Sequence, residues 1–132
     1  MSTHATTTFA IKGWDEKPYD EFDDGRKLTR ASVSNAYTGD LAGEGKIEYL
    51  MVYAADGSAN FVGLERVVGK IGARAGSFVI EHNGTFENGT AKSKWFIVKG
   101  SGTGNLRGLR GEGEFSVGHE DQHPIAFDYS FE

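Results

Sequence analysis

The chain has 132 residues, enough for one domain (1–132) around one core. Nineteen glycines stand against two prolines and cysteine is absent. This excludes disulfides and thiolate chemistry and favours a glycine-bent all-β domain over low-complexity disorder. The net charge of −5 argues against a nucleic-acid partner, which calls for a concentrated basic face.

The start, MSTHATTTFAIKGW, lacks a basic stretch followed by a long apolar core, so no signal peptide is expected. No apolar run approaches membrane-spanning length. A cytoplasmic protein with no membrane partner is the simplest expectation.

Hydrophobic periodicity is two almost throughout. Residues 6–14 read as a first strand, and 15–26 (DEKPYDEFDDGR) as an acidic, proline-containing loop. Strands follow at 27–38 and 45–55. Asp56-Gly57 turns the chain into 59–71, and the span from Gly72 to Gly76 turns it into 77–87. Asn88-Gly89 is a hairpin dipeptide, tolerant of positive φ at both central positions, and it leads into 91–99. The run Gly100–Gly113 holds six glycines in fourteen residues and reads as a defined turn with at most a single helical turn within it. Strands at 111–118 and 124–131 complete a set of eight.

Eight antiparallel strands without a long helix predict closure into a barrel, because closure removes exposed edges. Two packed sheets are the alternative architecture. A fatty-acid-binding-type barrel would need a helical pair after its first strand, where this chain carries Pro18, four aspartates and Gly25. Ile47, Tyr49, Met51 and Tyr53 oppose Leu50, Val52 and Ala54, and Phe61 and Val67 oppose Val62, Leu64 and Val68. Strands apolar on both faces need a second cover, and with so little helix a partner subunit is expected to supply it, making a homo-oligomer.

Several segments resemble one family: Leu28-Thr29-Arg30-Ala31, Phe61-Val62-Gly63-Leu64-Glu65-Arg66, Gly76-Ser77-Phe78-Val79, His82-Asn83-Gly84-Thr85-Phe86, and Gly100-Ser101-Gly102-Thr103-Gly104 with Gly108-Leu109-Arg110-Gly111. The chain is similar to the small bacterial domains of unknown function numbered thirty-two twenty-four, which share the allene oxide cyclase-like (calycin-like) barrel. The resemblance implies an eight-stranded antiparallel barrel with a partly apolar cavity, working without metal or organic cofactor. Relatives on this barrel steer cyclisation or radical coupling of a bound hydrophobic substrate. Their functional residues do not transfer to this chain, because no catalytic position matches outside the glycine-rich turn.

From the residues themselves, Glu65 shares a face with Phe61, Gly63, Val67 and Gly69. Facing inward, its carboxylate would be stripped of water and suited to acid–base work; pairing with Arg30 is the structural alternative. His82 shares a face with Phe78, Ile80 and Phe86, and becomes a second catalytic candidate if it meets Glu65 across strands. Tyr37, Tyr49, Tyr53, Phe61, Trp95 and Phe115, with Arg30, are the candidate ligand-binding residues, since aromatic walls with a few polar tips hold small apolar molecules.

Other motifs carry less. His119 and His123 in GHEDQHP lie in a turn before a proline and are read as a solvated loop, not a metal pair. The acidic stretch fails as a calcium loop because Phe22 and Ala31 stand at ligand positions. Asn83 and Asn88 begin glycosylation sequons but are read as turn residues, and the glycine-rich run lacks the lysine of a phosphate loop. Arg107 and Arg110 are read as turn arginines bonding nearby carbonyls. No metal or cofactor is expected. The reading is a barrel that binds a small, largely apolar ligand; the alternatives are a cofactor-independent isomerase or cyclase, and a filled barrel that only oligomerises.

Overall fold

The computed structural model describes residues 2–117 and 123–132. Its strands are β1 (Thr3–Glu21), β2 (Lys27–Gly39), β3 (Leu41–Tyr53), β4 (Ala59–Ile71), β5 (Arg74–Glu87), β6 (Thr90–Ile97), β7 (Leu109–Val117) and β8 (His123–Phe131). Each is hydrogen-bonded to the next and β8 returns to β1, so the sheet is a closed eight-stranded barrel. All pairings are antiparallel. Among the described residues no helix is long and apolar enough to cross a membrane.

The expected acidic loop at 15–26 is corrected: β1 runs on through Pro18 to Glu21, paired with β2. Pro18 is tolerated because β1 pairs with β8 only from Thr3 to Phe9, leaving one edge of its far half without a strand that would need the missing N–H. A register shift between Ile11 and Gly13 also changes which residues face inward. Phe9 and Ile11 line the interior before it, and Trp14 lines it afterwards, out of step with strict alternation. Sequence GHEDQHP divides: His119 lies outside the described residues, whereas His123 opens β8 and is buried, its ring centroid 4.9 Å from that of Phe9. A solvated position for His123 is therefore overturned, because its pairing with Phe9 helps close the barrel and turns it inward. Asn83 is likewise mid-strand, paired with Val62 and Lys94, whereas Asn88 and Gly89 both take positive φ in the β5–β6 hairpin.

One end of the barrel is plugged. The segment after β6 folds over it with a 3-10 turn at Gly104–Leu106, which buries Leu106 completely. Hydroxyls tie this segment to β5: the Ser77 amide donates to Thr103 Oγ1 at 3.0 Å, and the Val79 amide donates to Ser101 Oγ at 3.0 Å. Gly76 permits the docking, since a Cβ there would stand 2.0 Å from the Thr103 carbonyl oxygen. Arg110 pairs with Glu132 at this same end, and Arg107 is exposed.

The core forms two apolar clusters. One gathers Leu41, Ile71, Phe78, Ile97, Leu106 and Leu109 near the plug; the other holds Ala31, Val33, Ile47, Tyr49, Met51 and Phe61 toward the opposite end. Outside, Leu50 and Val62 face each other in register, each about half exposed (51 % and 49 %), with Leu64 and Val68 on the same face. Strands β3 and β4 are thus apolar on both sides.

Leu106→Ala is expected to lower unfolding stability by about 2–5 kcal/mol, the usual loss for a fully buried aliphatic side chain. Urea denaturation measures it; a change below about 1 kcal/mol would mean that the plug contributes little to the barrel.

Candidate functional site

Glu65 enters the interior from β4, where strand alternation turns it inward. It is completely buried and paired in register with Ile47 of one apolar cluster and Ile80 of the other. Two side chains satisfy it: Tyr37 Oη donates to Oε2 at 2.5 Å, and His82 Nε2 donates to Oε1 at 2.7 Å. Space for the carboxylate comes from β3, where Gly45 faces it; a Cβ there would sit 1.9 Å from Oε2. The expected meeting of Glu65 and His82 across strands is found. Pairing with Arg30 is not: Arg30 lies on the outer face and bonds Glu48 at 2.6 Å, so it is corrected as a ligand-binding candidate as well.

Beside this cluster lies a cavity of about 110 Å³. Tyr37, Tyr49, Phe61, Trp95 and Phe115, all proposed from sequence, line it, as does His82. Glu65 is not on its wall and sits behind Tyr37 and His82, which it holds. Tyr53 also stands off the wall. Its hydroxyl donates to Glu16 Oε2 at 2.6 Å, at the unplugged end of β3.

The aromatic rings fit because glycines face them. Gly63 lies opposite Tyr49, Gly84 opposite Phe61 and Gly113 opposite Trp95, and a Cβ on any of the three would come within 2.7 Å of the ring. Each ring covers its neighbour's bare backbone and gains room from it.

Three polar atoms of wall residues have no hydrogen-bond partner among the described residues: Asn35 Oδ1, His82 Nδ1 and Trp95 Nε1. All three residues are more than nine-tenths buried. Such groups are costly unless something polar meets them. Asn35 escaped the sequence reading, although it shares a face with Ala31, Val33 and Tyr37 and strict alternation would have found it. Trp14 and Glu16 were hidden by the bulge in β1.

Burial, then the charge and hydrogen bond of Glu65, push the Tyr37 phenol well above its ordinary value. Burial and the charge of Glu65 do the same to Tyr49. These phenols therefore remain proton donors across neutral pH. Burial works to raise the Glu16 carboxyl, but hydrogen bonds from Tyr53, Thr29 and Trp14 outweigh it and hold the group below its ordinary value.

Fold and interior together define an antiparallel β-barrel with an aromatic chamber and a buried carboxylate–imidazole–phenol cluster. The chain belongs to the family described as "Protein of unknown function (DUF3224)", whose model matches residues 5–129. It is similar to the crystal structure, at 1.84 Å resolution, of a protein of unknown function from the DUF3224 family of Shewanella oneidensis MR-1. Identity is 32 % over all of this chain and 98 % of that one, with a TM-score of 0.83. Comparison with curated proteins finds no match.

Two outcomes are expected from the carboxylates. Glu65→Leu strands the Tyr37 and His82 donors and should cost about 3–5 kcal/mol in urea unfolding, with Glu65→Gln costing less because it keeps an acceptor. Glu16, lowered in the folded state, adds stability that is present above its ordinary value of 4.5 and is lost as pH falls through the lowered value. Acid titration of stability should accordingly show a shallower fall below that pH in Glu16→Gln than in the parent protein.

Proposed function

We propose that the barrel binds a small, largely apolar molecule in the chamber at its centre. The observation that carries this reading is an open cavity of about 110 Å³ walled mainly by aromatic and aliphatic side chains, with the polar residues Asn35, Tyr37, Tyr49 and His82 among its lining. Small-molecule sites are lined in this way, mostly by apolar and aromatic side chains with a few polar residues that fix orientation. The size bounds the guest: at about 110 Å³ the chamber is somewhat smaller than the engineered apolar cavity of roughly 150 Å³ that takes benzene, so a guest no larger than a single ring fits without movement of the wall.

A second reading, a cofactor-independent isomerase or cyclase acting on a hydrophobic substrate, draws support from one feature. Glu65 is a wholly buried acid held by two proton-bearing groups, and both of those groups reach the chamber wall. Binding and shaping of the guest would precede any such chemistry.

Single-ring aromatic compounds should raise the melting temperature in a saturable way, by linkage of binding to folding. Native mass spectrometry of gently purified protein should show a small-molecule adduct. Val33→Phe, which adds most of a ring to the chamber wall, should abolish both effects while the barrel still melts cooperatively. A parent protein that no single-ring compound stabilises and that carries no adduct would remove the binding reading.

A further inference from the structure

Strands β3 and β4 carry a second apolar surface, on the outside of the barrel. Leu50, Val52, Val62, Leu64 and Val68 stand on it, each between 38 % and 55 % exposed. Strand register sorts the outward residues into rows across the sheet. Lys46 and Arg66 share one row; Glu48, Leu64 and Glu81 form the next; Leu50 and Val62 lie in the one after. Apolar side chains gathered on one sheet face favour a second surface that takes them out of water.

The charges on this face say what that surface is. Lys46 and Arg66 are exposed register partners, and like charges directly opposite one another are destabilising. Among the described residues neither forms an ion pair, and Glu81 forms none either; Glu48 pairs with Arg30 at 2.6 Å. A basic row therefore lies directly beside an acidic one, with apolar residues in and around both. Turned end for end, such a face is complementary to itself, which is what a twofold interface between identical chains requires.

We propose that the outer face of β3 and β4 binds a second copy of this chain, with the twofold axis running across the strands between the row of Arg66 and the row of Leu64. The two sheets stack face to face. Lys46 lies over the partner's Glu48, Arg66 reaches the partner's Glu81, and Val68 packs on the partner's Val62. The other aligned stacking, with its axis along β4, lays β3 over β5 of the second copy and sets Glu48 against the partner's Glu81, carboxylate on carboxylate. The available area is adequate: three strands of thirteen or fourteen residues offer on the order of 600 Å² at ordinary strand spacing, the lower end for one side of a stable interface. A dimer with a micromolar dissociation constant is expected from a contact of that size.

Sedimentation velocity of the full chain across micromolar concentrations should show a monomer–dimer equilibrium. Leu64→Lys tests the face, because the new ammonium sits between Glu48 and Glu81 in the free monomer but meets the partner's Arg66 in the dimer. It should weaken dimerisation at least about a hundredfold while the barrel still melts cooperatively. The chain has no cysteine, so an introduced thiol reports the orientation. Oxidation of Val62→Cys mixed with Val68→Cys should link one of each, faster than either variant links to itself. A chain monomeric throughout, a ring of three or more subunits, or a dimer that Leu64→Lys leaves intact would overturn the proposal. Val62→Cys linking to itself in preference to the mixture would overturn it too, since that marks an axis along β4. If Leu64→Lys does not fold, the cross-linking mixture decides alone.

Discussion

The bore of an eight-stranded barrel is narrow, and everything inside it competes for that volume. Aromatic side chains on neighbouring strands would overfill it, so each large ring is set against a glycine: Tyr49 against Gly63, Phe61 against Gly84, Trp95 against Gly113. The same device admits Glu65, whose carboxylate lies where Gly45 has no side chain. The glycines are therefore not distributed for flexibility. They are the places where the wall is thinned so that rings and a carboxylate can occupy the interior without closing it.

This arrangement explains the asymmetry along the barrel axis. Near the plug, Leu106, Leu109, Leu41 and Ile71 pack into continuous apolar contact. Toward the other end the wall is built of rings, which pack edge-on and leave gaps. Tyr49 and Phe61 meet at 80° and Phe9 and Phe115 at 62°. Glu65 lies at the seam between the two regions, where a charged group needs protein partners because water is excluded. Its partners, Tyr37 and His82, are both residues of the chamber wall, so the most stringent polar requirement of the core is met beside the chamber.

The stability of the core and the shape of the chamber are coupled through this cluster. Tyr37 and His82 are held by the carboxylate that they satisfy, which leaves the imidazole one defined orientation. Weakening the cluster would loosen the core and blur the chamber's polar pattern together. Glu16, with its three hydrogen bonds near the unplugged end, anchors the extended half of β1 in a similar way, against Thr29 of β2 and Tyr53 of β3.

Strand number, closure, the hairpin at Asn88-Gly89 and the residues that share each face of β4 and β5 were legible in the sequence, because alternation and turn chemistry act over a few residues; which face of β4 turned inward was not. Glu65, His82 and five of the aromatic wall residues were legible for the same reason. Local pattern could not place what depended on pairing between distant segments. The bulge in β1 reverses alternation ahead of Trp14 and Glu16, Pro18 survives on an edge that exists only after closure, and His123 turns inward because β8 meets Phe9. Arg30 could equally have reached Glu65 or Glu48, and the register of β2 on β3 decided it, since one residue of slip exchanges the two faces of a strand. The local pattern of alternation, turns and aromatic residues pointed to a β-barrel with rings inside; only tertiary closure decided which polar side chains met one another among those rings, because strand register sets which residues share the interior.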